Sequence, residues 1–273
     1  ALLLKQLRDE WQPDIGFNLH NQNALTAAGK SDKQAAISLL VVYGDPAKTT
    51  SPGHERNKRL AAVIINALSP FIPGNIAMYD DEWTPTAFGD NFSAWGTPVI
   101  LIETGGLHGR DEMFLVKMNF VAIASALNAL ADGSERNLSP VNYDLLPRNE
   151  SGRLMNVIFR GAQIIGATPI ETAQSADIGI NFERRREAFF SPAFIRRIGD
   201  LADVSGLDEY DASGFFVIGR QQSVRPGSLA ELLFYRKERK IDLKSLDLEK
   251  EFPPDAIFSL GKWVKGEGEL KKK

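Results

Sequence analysis

Apolar and polar positions in the first half of the chain alternate between two periods. Leu2 to Trp11 (LLLKQLRDEW) is spaced as an amphipathic helix that Pro13 ends. In DIGFNLH, Ile15, Phe17 and Leu19 alternate with Gly16, Asn18 and His20, the period of a strand, and His20 falls on the side away from the apolar residues. AAISLLVVYG is a continuous apolar run closed by Gly44, the pattern of a strand buried on both faces. A polar loop with Pro52 and Gly53 then leads into a helix that stops at Pro70. Ile76 to Tyr79 reads as a strand, Ala87 to Trp95 as a short helix, and TPVILIETGG as a second central strand. DEMFLVKMNFVAIASALNALADG follows as a long helix with Gly133 as its C-cap.

Strands alternating with helices predict an α/β domain over 1–133, a mostly parallel or mixed sheet with flanking helices. After Gly133 the texture changes. SERNLSPVNYDLLPRNESG reads as a polar linker over 134–153. From 154 to 273 short β-like runs (LMNVIFRGAQIIG, ADIGINF, FIRRIGDL, DEYDASGFFVIG, ELLFYRKERKID, DAIFSLGKWVKG) separated by turns predict a smaller β-rich domain. The charges nearly cancel, 32 Lys and Arg against 35 Asp and Glu, so nothing draws the chain to nucleic acid or an anionic membrane. The sequence has no apolar run near the ~20 residues of a bilayer span, so a soluble protein without a membrane span is expected. With no cysteine, any metal must be held by His, Asp or Glu. RKERK and the terminal KKK read as solvated faces.

In sheets of this kind ligands gather at the carboxyl ends of strands, and two chemically capable residues stand there: His20 after DIGFNL and Glu103 after PVILI. A carboxylate following an apolar strand is poorly solvated, which raises its pKa and suits a general base. The same residue also fits as the cap of a turn or the partner of an arginine, and a lone histidine fits as a hydrogen-bonded structural residue.

The order of PDIGFNLHNQ, YDDEWTPTAFGDNFSAWGTPVILIETGG and FLVKMNFVAIASALNAL resembles the C-terminal half of the catalytic domain of zinc carboxypeptidases, particularly exported bacterial ones. The resemblance spans roughly residues 1 to 133. It implies that His20 is a zinc ligand and Glu103 the general base that takes a proton from zinc-bound water and passes it to the leaving amine. It further implies peptide substrates, a Zn cofactor and a place outside the cytoplasm. Asn21, Gln22 and Tyr79 become substrate-binding candidates, with Asp81 and Asp90 on the segment where the family places specificity contacts. The family's H-x-x-E zinc pair and its Asn-Arg element precede the third histidine and are not in these residues. An N-terminal segment of the parent protein is therefore an expected partner. Of the other two histidines, His54 in PGHERNKR, with Asn57 in place of the glutamate, reads as a solvated residue at a helix start. His108 in LHGRDEM, with Asp111 in fourth place, reads as a loop residue. The tail resembles the small β-sandwich of amidohydrolases, with IGRQQSVRP where their metal-binding barrel is inserted, which implies a non-catalytic accessory module. Two readings stand: a zinc-dependent metallocarboxypeptidase, and a non-catalytic peptidase-like binding module.

Overall fold

The computed structural model describes residues 2–165, 174–183, 192–220, 223–242, 245 and 247–273. The chain divides into two compact units, Ala1–Arg153 and Leu154–Lys273.

The first unit is mixed α/β. It contains α1 (Leu2–Trp11), β1 (Gly16–Asn21), β2 (Ala27–Ala28), β3 (Ile37–Val41), α2 (Pro52–Leu68), β4 (Ile76–Met78), α3 (Phe88–Ala94), β5 (Val99–Thr104), α4 (Glu112–Asp132), α5 (Val141–Asp144) and β6 (Asn149–Glu150). Local chemistry sets the helix ends. The Ser51 side chain accepts from the His54 amide with Pro52 at the first helical position, and the Asp111 side chain accepts from the Phe114 amide. Gly133 ends α4 in the left-handed conformation at φ 75°.

The sheet runs β1-β5-β3-β4. β1 is parallel to β5 and β3 to β4, but the central pair, β5 and β3, is antiparallel, so the sheet is mixed. Alternation splits its side chains between two layers. Ile37, Leu39, Val41, Ile100 and Ile102 face the main core, where Leu60, Ile64 and Leu68 of α2 and Met118, Ala122 and Ala126 of α4 meet them. Leu40, Val42, Val99 and Leu101 face the other way and pack with Phe92 of α3 and Tyr79.

One expectation is corrected. The stretch 134–153 is not a loose linker. Tyr143 of α5 is buried and its hydroxyl accepts from the Val41 amide at 3.0 Å, while β6 pairs antiparallel with β2. By length and composition α4 is apolar enough to cross a bilayer, with Lys117 as its one charge between Glu112 and Asp132, although Asn119, Ser125 and Asn128 break its apolar run. Here its inner side packs in the core through Leu115, Met118, Ala122, Ala126 and Ala129, while Met113, Val116, Phe120 and Leu127 stay exposed.

The second unit is β-dominated. Its strands are β7 (Leu154–Ile165), β8 (Gln174–Phe182), β9 (Ala193–Gly199), β10 (Ser205–Asp211), β11 (Phe215–Gly219), β12 (Leu232–Arg236), β13 (Ala256–Ser259), β14 (Lys262–Lys265) and β15 (Lys271–Lys272), and among the described residues one short α-helix, α6 (Leu248–Glu251), joins them. One nine-stranded sheet runs β14-β13-β12-β11-β7-β10-β15, with β8 joining β7 and β9 joining β8. Its core is aromatic: the Phe159 ring lies 4.9 Å from Phe234, 5.4 Å from Phe258 and 5.6 Å from Trp263. Arg160 is held by Asp177 at 3.0 Å and Glu209 at 2.7 Å, and by the carbonyls of Leu201 and Val204. Residues 221 and 222 of IGRQQSVRP and Gly166 of LMNVIFRGAQIIG lie outside the described residues.

Candidate functional site

Strand register brings the candidate residues together. His20 of β1 is the Cα partner of Glu103 in β5, and Glu103 is the partner of Ser38 in β3. Directly paired residues share a face, so His20, Glu103 and Ser38 form one row across three strands. The next row on that face, Asn18, Leu101 and Leu40, is where the Phe92 and Tyr79 cluster begins. Tyr79 follows β4, where Met78 pairs with Leu39, so alternation puts it on the same face opposite Leu40. α3 packs closely on this layer because Gly89 has no side chain: a Cβ there would lie 3.1 Å from the Asn18 amide nitrogen.

The electrostatics single out Glu103. It is only 5% exposed, and its Oε2 is buried without a hydrogen-bond partner. The His20 imidazole stands beside it, its Nδ1 3.9 Å from Oε1. Burial raises the Glu103 pKa above the ordinary carboxylate range, and the His20 charge opposes the rise without cancelling it. The imidazole itself is open, with 58% of its side-chain surface exposed. Tyr79 senses the same carboxylate: burial raises the phenol pKa, and the Glu103 charge is the next cause.

The loops beyond the row are stapled by two glutamines. Gln22 donates from Nε2 to the Ala35 carbonyl at 2.9 Å and to Ser38 Oγ at 2.8 Å, and its Oε1 accepts from Asn149 at 3.3 Å. Gln34 donates to the Ala24 carbonyl at 2.7 Å and accepts the His108 amide at 2.6 Å. The two glycines after Glu103 allow this closeness. A Cβ at Gly105 would sit 2.2 Å from the Ala35 carbonyl oxygen, and one at Gly106 would sit 2.8 Å from the Ala24 Cβ. ETGG is therefore a packing requirement as well as a strand end.

The remaining candidates separate. Asn21 is exposed at the end of β1. Gln22 has both ends of its amide occupied, so it positions the loop and offers no vacant group to a substrate. Asp81 is tied to Lys48 at 2.9 Å and Arg148 at 3.1 Å. Asp90 accepts from the Thr84 amide and shapes its own loop. His54 is not solvated: it is 4% exposed and stacks on Tyr43 with ring centroids 4.3 Å apart, and burial lowers its pKa. His108 lies in the loop before α4, its amide on Gln34. Ser38, Gln34 and Asn149 escaped the sequence reading. Ser38 alone left a trace, as the one polar residue in the run ISLLVV.

The donor set fits zinc only in part. His20 offers one open imidazole beside one carboxylate, and among the described residues no group of three or more His, Asp or Glu is placed to hold a metal. In comparisons with known proteins, no family model, no curated protein and no solved structure matches this chain.

Proposed function

We propose that the first unit carries the base-and-ligand half of a zinc-dependent peptidase site of the carboxypeptidase type, with Glu103 as general base and His20 as one ligand. One observation carries this reading: an open imidazole and a buried, hydrogen-bond-starved carboxylate are cross-strand partners on one face, at the carboxyl ends of two parallel strands. Glu103 is fitted to accept a proton because burial makes its carboxylate more basic than a solvated one. The neighbouring His20 imidazole is near enough to share the charge of the ionised form. Zinc, when bound, would polarise a scissile carbonyl and acidify water. The further donors it needs would come from another polypeptide segment. Tyr79, on the same face, and Asn21, exposed at the end of β1, are the substrate contacts of this reading.

The test supplies the chain with zinc and a blocked dipeptide or peptide ester, alone and together with a segment bearing an H-x-x-E pair. Hydrolysis that Glu103→Gln abolishes and His20→Ala weakens supports the reading. Hydrolysis indifferent to Glu103→Gln, or none with the completing segment bound, rejects it. The second reading, a non-catalytic peptide-binding module, is favoured by the partial donor set. It predicts peptide binding without turnover in both mixtures.

A further inference from the structure

We infer that a cleft at the end of the first sheet opposite His20 and Glu103 binds a small hydroxyl-bearing phosphate monoester, with Arg8 and Arg56 holding its phosphoryl group. The cleft has a volume of about 650 Å³, within the range of small-molecule sites. It forms where Asp14 leads into β1, Val42 and Gly44 leave β3, and Pro98 leads into β5. The run of β5 from Pro98 to Glu103 puts it about 17 Å from the carboxylate, so it stands apart from the peptidase reading. Glycines let its walls close up. A Cβ would lie 2.3 Å from the Pro98 ring at Gly53, 3.0 Å from the Ser93 carbonyl oxygen at Gly44 and 3.0 Å from the Arg8 guanidinium at Gly96.

The lining carries hydrogen-bond donors that the chain leaves unused. Arg56 donates to the Asp14 carbonyl and, at 3.5 Å, to the Asn57 side-chain oxygen, both neutral, while its Nε is buried without a partner. Arg8 donates from Nε to Thr97 Oγ1 at 3.0 Å, and that hydroxyl donates to the Pro13 carbonyl at 3.1 Å; its Nη1 meets the exposed Asp9 at 3.2 Å. Both guanidiniums are thus anchored on the consecutive carbonyls of one turn. Ser93 Oγ of α3 is buried without a partner. At the start of α2 the Ser51 hydroxyl and carbonyl take the His54 and Glu55 amides and Pro52 has none, which leaves the Gly53 amide for a ligand. His54 lines the cleft as well, 4% exposed and with neither ring nitrogen hydrogen-bonded. Buried polar groups are ordinarily paired, so orphaned groups on Arg56, Ser93 and His54 in one cleft point to a ligand.

Charge selects the class of ligand. A phosphate monoester carries about 1.5–2 negative charges at pH 7 and three strong acceptor oxygens, which suits two guanidiniums, a hydroxyl and a helix N-terminal amide; a carboxylate brings one charge and two oxygens. Asp14 and Asp45 line the same cleft, Asp45 accepting from the Thr49 amide at 3.3 Å and hydroxyl at 3.2 Å. Their carboxylates repel further phosphates and accept from hydroxyls. The fitting ligand therefore has one phosphoryl group on a hydroxyl-bearing body and is not a polyphosphate.

Calorimetry on the full chain in a phosphate-free, low-salt buffer, with glucose 6-phosphate, glucose, gluconate and inorganic phosphate as probes, tests this alongside amide NMR in the same titrations. Glucose 6-phosphate is expected to bind at least tenfold more tightly than glucose or gluconate, with inorganic phosphate competing. The Gly53 and Ser93 amide resonances are expected to shift while those of His20 and Glu103 stay in place. Arg56→Gln is expected to abolish binding, and Arg56→Lys, which keeps the charge but loses the Nε donor, to weaken it at least tenfold. If either variant unfolds, the selectivity and the shift map of the wild-type chain carry the test. The inference is overturned if glucose 6-phosphate does not bind at millimolar concentration, if glucose or gluconate binds as tightly, or if inorganic phosphate fails to compete. Shifts confined to residues outside the cleft, or a folded Arg56→Gln that binds unimpaired, overturn it equally.

Discussion

Replacing Glu103 with Gln is expected to make the first unit more stable while removing its base. The carboxylate is 5% exposed, one oxygen has no hydrogen-bond partner, and the other meets an imidazole only at 3.9 Å. A buried polar group left without partners costs about 1–3 kcal/mol, and more when charged. Glutamine keeps the shape and drops the charge, so a gain of about 1–2 kcal/mol at pH 8 is expected, the amide's own unmet hydrogen bonds holding it near the lower figure. The pH dependence follows from burial raising the Glu103 pKa. Between the ordinary carboxylate value and the raised folded value the folded state binds more protons than the unfolded one. Wild-type stability therefore falls as pH rises through that window, and the penalty is complete above it. The gap between Glu103→Gln and wild type should be widest at pH 8 and should shrink toward pH 4. Because the chain has two units, protection of the slowest β3 and β5 amides is the appropriate measure. A less stable variant at pH 8, or a gap that does not change with pH, would refute the reasoning.

Three further perturbations follow from the packing. Gly105→Ala drives a methyl into the Ala35 carbonyl 2.2 Å away and is expected to destabilise the first unit by about 1–3 kcal/mol, read as lost protection in β3 and β5. Tyr143→Phe strips the buried Val41 amide of its acceptor, a loss of about 1–3 kcal/mol by the same exchange measurement with α2 unchanged in circular dichroism. Arg160→Ala leaves Asp177 and Glu209 without their shared cation and is expected to lower stability of the second unit by about 3 kcal/mol, seen as a fall in its urea midpoint.

Much of the first unit could be read from periodicity, because each element is long or strictly alternating. The α1 bounds match the reading, and those of α2 to α4 and of β1, β4 and β5 differ by a residue or two at the ends. Strand direction could not be read. ISLLV and VILIET are apolar on both faces whether they run parallel or antiparallel, so the antiparallel central pair carries no periodic mark. The polar neighbours of His54 give it the look of a solvated residue, although carrying the inner stripe of α2 back from Ile64 through Ala61 reaches Asn57 and His54, both buried. Tyr143 hides in the same way inside a stretch dominated by Asn, Asp and Pro. The pairing of His20 with Glu103 depends on two strands far apart in the chain, and no local pattern encodes that register. The glutamine staples are non-local as well, joining Gln22 to Asn149 and Gln34 to His108.

The chain has three histidines, and they occupy different settings: His20 on the open row beside Glu103, His54 buried against Tyr43, and His108 in the loop before α4. Site-resolved NMR of their imidazoles during a zinc titration therefore tests the central claim most directly. The account predicts that the His20 resonances respond first and that Glu103→Gln alters this response, while His54 stays unchanged. A first response at His54 or His108 with His20 unmoved, or a His20 response indifferent to Glu103, would contradict it.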